Sequence, residues 1–149
     1  MQLEPLLKAS IALAAAQELG EAPLGRRRIV PISGGSFSGA KLRGRVLPGG
    51  ADWQLVRADG VVDLDARYTL ETDDGALIYV RNRGYRHGPA EVMRRLAAGE
   101  AVDPALYYMR TTPRFETGDA RYAWLNRMVC VATASRLPQA VHLEVYEVR

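Results

Sequence analysis

The chain contains one cysteine and two histidines in 149 residues. It also has only two lysines, Lys8 and Lys41, among its 20 cationic side chains. These shortages exclude a good deal. A lone thiol cannot close an internal disulfide. Cys130 lies in the apolar run Met128-Val129-Cys130-Val131-Ala132, where a thiol is buried and inert unless a base or cation stands beside it. A chain of this kind fits the reducing cytoplasm, which is the expected location. His87 and His142 are too far apart for metal-ligand spacing, so no metal and no other cofactor is expected. No stretch approaches the ~20 apolar residues of a membrane-spanning helix. The short run Ile11–Ala16 is preceded by Glu4 and closed by Gln17-Glu18, which is not the layout of a secretory signal. A Gly-x-Ser-x-Gly nucleophile elbow is missing, as is a dinucleotide fingerprint. The glycine-rich segment Ser33–Gly39 lacks the Gly-Lys-Ser/Thr ending and the following helix of a phosphate loop.

What is present is an ordinary globular balance, 48% hydrophobic and 25% charged. Length predicts one domain over 1–149, large enough to fold on its own core. The net charge of +3 is modest. The densest cationic run, Arg26-Arg27-Arg28, enters a strand pattern in which successive side chains face opposite sides. Without interleaved aromatics it does not make a nucleic-acid surface, so neither nucleic acid nor membrane is an expected partner.

Strand patterns dominate. Arg26–Ile32 reads as a strand. In Lys41–Leu47 the residues Leu42, Gly44 and Val46 share one face. Pro48-Gly49-Gly50 makes a corner that delivers Asp52 and Trp53 together. Val62–Glu71 alternates, with Leu64, Ala66, Tyr68 and Leu70 on one face and Asp63, Asp65, Arg67 and Thr69 on the other. Ala76–Val80 follows the turn at Asp73-Asp74-Gly75, and Asn82-Arg83-Gly84 reads as its end. Pro89–Gly99 is the one convincing helix. Tyr107–Arg110, Arg127–Ala134 and Val141–Val148 are further strands, while Gly20–Gly25 is a turn. Leu3–Gln17 is ambiguous between helix and strand. Eight or nine strands with close turns indicate a meander closed into a barrel or folded as a sandwich.

Several ordered motifs carry a resemblance: Pro31-Ile32-Ser33-Gly34-Gly35-Ser36-Phe37-Ser38-Gly39, Leu47-Pro48-Gly49-Gly50-Ala51-Asp52-Trp53-Gln54, Leu64-Asp65-Ala66-Arg67-Tyr68, Tyr107-Tyr108-Met109-Arg110-Thr111 and Trp124-Leu125-Asn126. From about Leu6 to Val148 the chain resembles a bacterial family of uncharacterised proteins, domain of unknown function 3237. The resemblance implies an all-β fold: a small antiparallel β-barrel of eight or nine strands with one short helix, broadly like allene oxide cyclases and dirigent proteins. It also implies pairing as a homodimer and makes Leu6–Ala16 the first strand. Met109 departs from the aromatic expected there, which implies a softer pocket.

The candidate site residues follow from this frame. Asp52 held against Trp53 in apolar surroundings would have its charged form disfavoured, which suits acid/base work. The alternative is that Asp52 caps its own loop and Trp53 fills core. Arg67 and Tyr68 cannot both line one cavity. On an interior face Arg67 needs a carboxylate, for which Asp52 is the candidate; on a solvent face it belongs to a surface ion ladder. Tyr107, Tyr108 and Arg110 could line a binding cavity or serve packing. Trp124 and Asn126 could add an apolar wall and an amide, or a plug and a turn. The expected function is binding or transforming a small hydrophobic carbonyl or aromatic compound, as a cofactor-independent isomerase, cyclase or lyase. Asp52 and Arg67 would be catalytic, with Trp53, Tyr107, Tyr108, Arg110, Trp124 and Asn126 binding. A non-catalytic ligand-binding barrel and an oligomeric structural module are the alternatives.

Overall fold

The computed structural model describes residues 1–149. Strands β1 (Leu3–Leu13) and β2 (Gln17–Ala22) run one after the other along the long strand β3 (Gly25–Ser38). Strands β4 (Arg43–Val46) and β5 (Ala51–Val56) do the same along its other side. An antiparallel meander follows: β6 (Val62–Thr72), β7 (Leu77–His87), β8 (Tyr108–Glu116), β9 (Cys130–Arg136) and β10 (Ala140–Val148). β10 pairs with β1 and β1 with β3, so the sheet closes. With β1/β2 and β4/β5 each counted as one broken stave, the result is a closed antiparallel barrel of eight staves. Closure removes the open edges that a meander poor in lysine leaves unprotected.

The expected all-β barrel is observed, with differences in detail. The stretch expected to be a turn at Gly20–Gly25 is mostly β2 and the start of β3, hairpinned about Pro23-Leu24. The alanine-rich start is a strand because Leu7, Ala9 and Ile11 alternate into the core between two partner strands. Pairing overrides the helical propensity of alanine there. Helix α1 (Ala90–Ala97) starts after Pro89, as the sequence predicts, and buries Leu96. Two 3-10 turns, Pro104–Leu106 and Ala120–Arg127, are additional.

Strand β7 does not end at Gly84 but runs on to His87. A Cβ on Gly84 would stand 2.0 Å from the backbone oxygen of Arg110 on β8, so the glycine marks a close strand approach rather than a stop. Gly44 has the same role, its Cβ position lying 2.0 Å from the backbone oxygen of Glu71.

The barrel interior is divided along its axis. Toward the end that carries the 39–42 and 73–76 turns it is apolar, filled by Phe37, Leu42, Val46, Leu70, Ile78, Val80, Phe115 and Leu125. Leu125 comes from the 3-10 turn in the β8–β9 connection. Toward the opposite end, with the 57–61 and 137–139 turns, inward positions carry Asp52, Gln54, Asn82, Arg86 and Arg136. Apolar packing at one end offsets the desolvation of polar groups at the other. Cys130 is buried, and burial together with Glu147 pushes its thiol up to about 11.

The close approach at Gly44 gives a direct test. Gly44→Ala is expected to lose about 1–3 kcal/mol from overpacking. Gly118→Ala, where nothing lies within 4 Å of the added carbon, should stay within about 0.5 kcal/mol of wild type. Equal denaturant midpoints for the two variants would contradict the strand spacing described here.

Candidate functional site

The polar end of the barrel is built by strand alternation. On β5, Asp52 and Gln54 point inward and Trp53 outward. The ladder between β5 and β6 pairs Ala51 with Arg67 and Asp52 with Ala66, then resumes at Leu55 with Asp63. Two rungs are missing between these pairs. There the Asp65 backbone N–H donates to Oδ1 of Asp52 at 2.9 Å, and Gln54 Nε2 donates to its Oδ2 at 2.9 Å. Asp52 is thus fixed by two donors. Burial raises its pKa, against the lowering effect of the Gln54 and Asp65 hydrogen bonds and of Arg86 nearby.

Arg86 reaches the same space from β7, by the alternation that also buries Ile78, Val80 and Asn82. Its side chain is 3% exposed, and its Nε and Nη1 have no hydrogen-bond partner. Desolvation, with repulsion from Arg136 and Arg28 outweighing attraction to Asp52, lowers its pKa to about 10. Arg136, from β9, spends its Nη1 on the carbonyls of Leu137, Pro138 and Ala140, and its backbone N–H donates to the Tyr107 hydroxyl at 2.8 Å. Arg28 is paired with Glu18 at 2.8 Å.

These groups surround an interior cavity of about 40 Å³, completed by Tyr68, Thr111, Met109 and apolar residues of β1, β3, β6 and β10. Gln54 Oε1, Asn82 Oδ1 and Thr111 Oγ1 are also without partners. Buried polar atoms are normally hydrogen-bonded, so five orphans around one cavity mark a place for a polar guest. Burial and the charge of Asp52 keep the Tyr68 phenol protonated well above its ordinary range. Two roomier grooves, about 760 and 790 Å³, run on the outer surface along β8. The first shares Thr111 with the interior cavity, but neither brings a buried arginine to a buried carboxyl, and the interior cavity is the better candidate.

The candidate residues are divided between these surroundings. Asp52 lines the cavity, and Tyr107 stands behind it through Arg136. Arg67 does not meet Asp52: it points outward, with its guanidinium 5.9 Å from the Trp53 ring, and joins Asp65 and Arg81 in a surface ion ladder. The reason is register, since Ala66 and Tyr68 take the inward positions on β6. Trp53 is therefore an outer residue too. Tyr108 and Arg110 also face out; Tyr108 stacks on His87 at 4.7 Å with Arg110 over its ring. Trp124 and Asn126 lie at the opposite end. Half-buried Trp124 donates its Nε1 to the Arg121 carbonyl beside the buried Leu125 and Tyr122, and Asn126 ties Thr117 by two hydrogen bonds in the turn.

Gln54, Asn82, Arg86, Thr111 and Arg136 escaped the sequence reading, while Tyr68 takes the inward place weighed between it and Arg67. The signal for Arg86 was available: period-two counting from Ile78 through Val80, Asn82 and Gly84 leads to it.

Fold and site together define a closed antiparallel barrel with a buried acid–arginine cavity at one end. The chain belongs to the family described as "Protein of unknown function (DUF3237)", whose profile matches residues 1–148. It is 50% identical over 129 residues to the UPF0311 protein blr7842 of Bradyrhizobium diazoefficiens, covering 87% of this chain and 84% of that protein. A crystal structure of a β-barrel-like protein from Acinetobacter baumannii has a TM-score of 0.87 at 51% identity, covering 99% of this chain and 96% of that one. More distantly, the chain is 25% identical over 146 residues to the hydroalkoxylation enzyme phnH of Penicillium herquei, covering 98% of this chain and 83% of that protein. A solved enzyme structure from the same fungus shares the fold, with a TM-score of 0.70 at 22% identity over 97% of this chain and 93% of that one.

The raised Asp52 carboxyl has a thermodynamic consequence. Between the ordinary carboxylate pKa of about 4 and its higher folded value, the folded state binds more protons than the unfolded state. Stability from this group is therefore present at lower pH and lost as pH rises through that window. In denaturant titrations, wild type is expected to lose stability relative to Asp52→Asn as pH rises above about 4. A wild-type-minus-variant difference that is flat, or that grows with pH, would rule this out.

Proposed function

We propose that the protein is a small-molecule enzyme that needs no cofactor, in which Asp52 moves a proton and Arg86 steadies negative charge on oxygen in the barrel cavity. The observation that carries this reading is the pairing, in one buried space, of a carboxyl of raised pKa with an arginine whose Nε and Nη1 have no partner. A carboxyl tuned upward by burial is suited to general acid and base work. A desolvated guanidinium aimed at developing charge lowers a barrier without reorganisation.

The reaction class supported best is addition or isomerisation by proton transfer. The distant resemblance to a hydroalkoxylation enzyme favours the addition of an O–H across a carbon–carbon double bond. Asp52 as carboxylate would take the hydroxyl proton while the oxygen attacks one alkene carbon. The π pair moves onto a conjugated carbonyl oxygen facing Arg86. Asp52 then returns the proton to the other carbon as that pair comes back. One O–H and one C=C π bond are lost, one C–O and one C–H bond are gained, and nothing is oxidised or reduced. Tyr68 has a phenol that stays protonated and serves as a further donor.

The test is incubation of a cellular metabolite pool with wild type, Asp52→Asn and Arg86→Met, followed by mass spectrometry. Wild type should produce an isomer of one component, unchanged in mass and shifted in retention. Asp52→Asn should slow this by about 10²–10⁴-fold. Arg86→Met should also lose activity, with its melting temperature measured alongside because it leaves the buried Asp52 without a facing cation. A pool altered equally by wild type and Asp52→Asn would remove Asp52 from the chemistry, and a pool altered by neither argues for a carrier instead.

A further inference from the structure

We infer that the cavity receives the head group of an α-hydroxy carboxylate, a single negative charge with a hydroxyl donor next to it, carried on an apolar body. The inference rests on the cavity being the ligand site, as proposed above, but not on any proton transfer there.

Charge sets the first requirement. The cations facing the cavity end are Arg28, Arg86 and Arg136, and the acid is Asp52. Glu18 pairs Arg28, and the carbonyls of the β9–β10 turn hold Arg136. Asp52 makes no ion pair within 4.0 Å, and its two oxygens are taken by Gln54 and Asp65. Arg86 is left as a buried cation with no direct partner. Its free Nε and Nη1 point to different sides of the guanidinium, so each can donate to an oxygen of an anionic guest.

The second requirement is a donor. Gln54 uses its Nε2 on Asp52, so its orphan Oε1 can only accept. The Thr111 hydroxyl, also unpartnered, can accept as well. A bare carboxylate can accept from Thr111 but has no proton to offer Gln54 Oε1, whereas a hydroxyl on the adjacent carbon does and can also meet Thr111. Size is the third requirement. A cavity of about 40 Å³ holds about three waters, which is enough for a carboxylate and its α-carbon but not for a ring. The rest of the ligand must lie outward, against half-buried Leu13 and Val141.

Mandelate meets these requirements. Mandelamide removes its charge, and phenylacetate removes its hydroxyl. Titration calorimetry on the intact protein should show saturable mandelate binding, at least tenfold weaker for mandelamide and several-fold weaker for phenylacetate. Arg86→Gln should weaken mandelate at least tenfold. Thr111→Val, a change of little volume, should shrink the preference for mandelate over phenylacetate, and it keeps the test decisive if Arg86→Gln does not fold. Absence of saturable mandelate binding to wild type overturns the inference, as does equal affinity for mandelamide or a preference that Thr111→Val leaves unchanged. Asp52→Asn separates the two proposals. If it and wild type both bind mandelate and no substrate is turned over, the head-group assignment holds and the enzymatic reading falls. If turnover depends on Asp52 while mandelate fails to bind, only the head-group assignment falls.

Discussion

A guanidinium that is 3% exposed, with no hydrogen-bond partner for its Nε and Nη1, is the feature on which the polar end of this barrel turns. Burying such a charge is expensive unless something compensates it. Compensation here is indirect. Asp52 lowers the cost of Arg86 through space, while Gln54 and the Asp65 N–H hold Asp52 in place without Arg86. A direct ion pair would satisfy both groups and leave neither available to a ligand. The missing rungs between β5 and β6 supply the backbone donor that makes the indirect arrangement possible.

The barrel wall keeps two arginine chemistries apart. Outside, Arg67 lies over Trp53 and shares Asp65 with Arg81, in contacts exposed to water and therefore weak. Inside, Arg86 and Arg136 are desolvated, and their interactions are correspondingly strong. One residue of register separates the two environments, because the side-chain period of a strand is two. Had β6 slipped by one position, Arg67 would face Asp52, and Leu64, Tyr68 and Leu70 would lose the core. The apolar face of β6 thus fixes which charges enter the barrel.

This division explains what was legible in the sequence. Alternation in Val62–Glu71 marks Leu64, Tyr68 and Leu70 as one face, and those residues are buried together. The closed barrel follows from strand patterns together with the family motifs, and the glycine corner makes an inward Asp52 one of two readings. Arg86 did not emerge, because Gly84 has the look of a strand end. Its real role, letting β8 pass close to β7, depends on a neighbour remote in sequence. Arg136 was hidden in the same way, two residues beyond the expected end of its strand. Trp124 and Asn126 misled because side-chain chemistry suited to a pocket serves equally well in a 3-10 plug, and only the topology shows that the plug closes the other end.

The mouth of the cavity connects these points. Arg136 anchors the β9–β10 turn through three carbonyls, and the Leu13 N–H donates to Gln139 in that turn. Tyr107 accepts from the Arg136 backbone, joining the end of the β7–β8 connection to the same point. The cavity wall is therefore tied to the segments that border its opening. Leu13 and Val141, which line the cavity, belong to strands held by this turn. The residue that adds positive charge at the site thus also ties down the turn beside it.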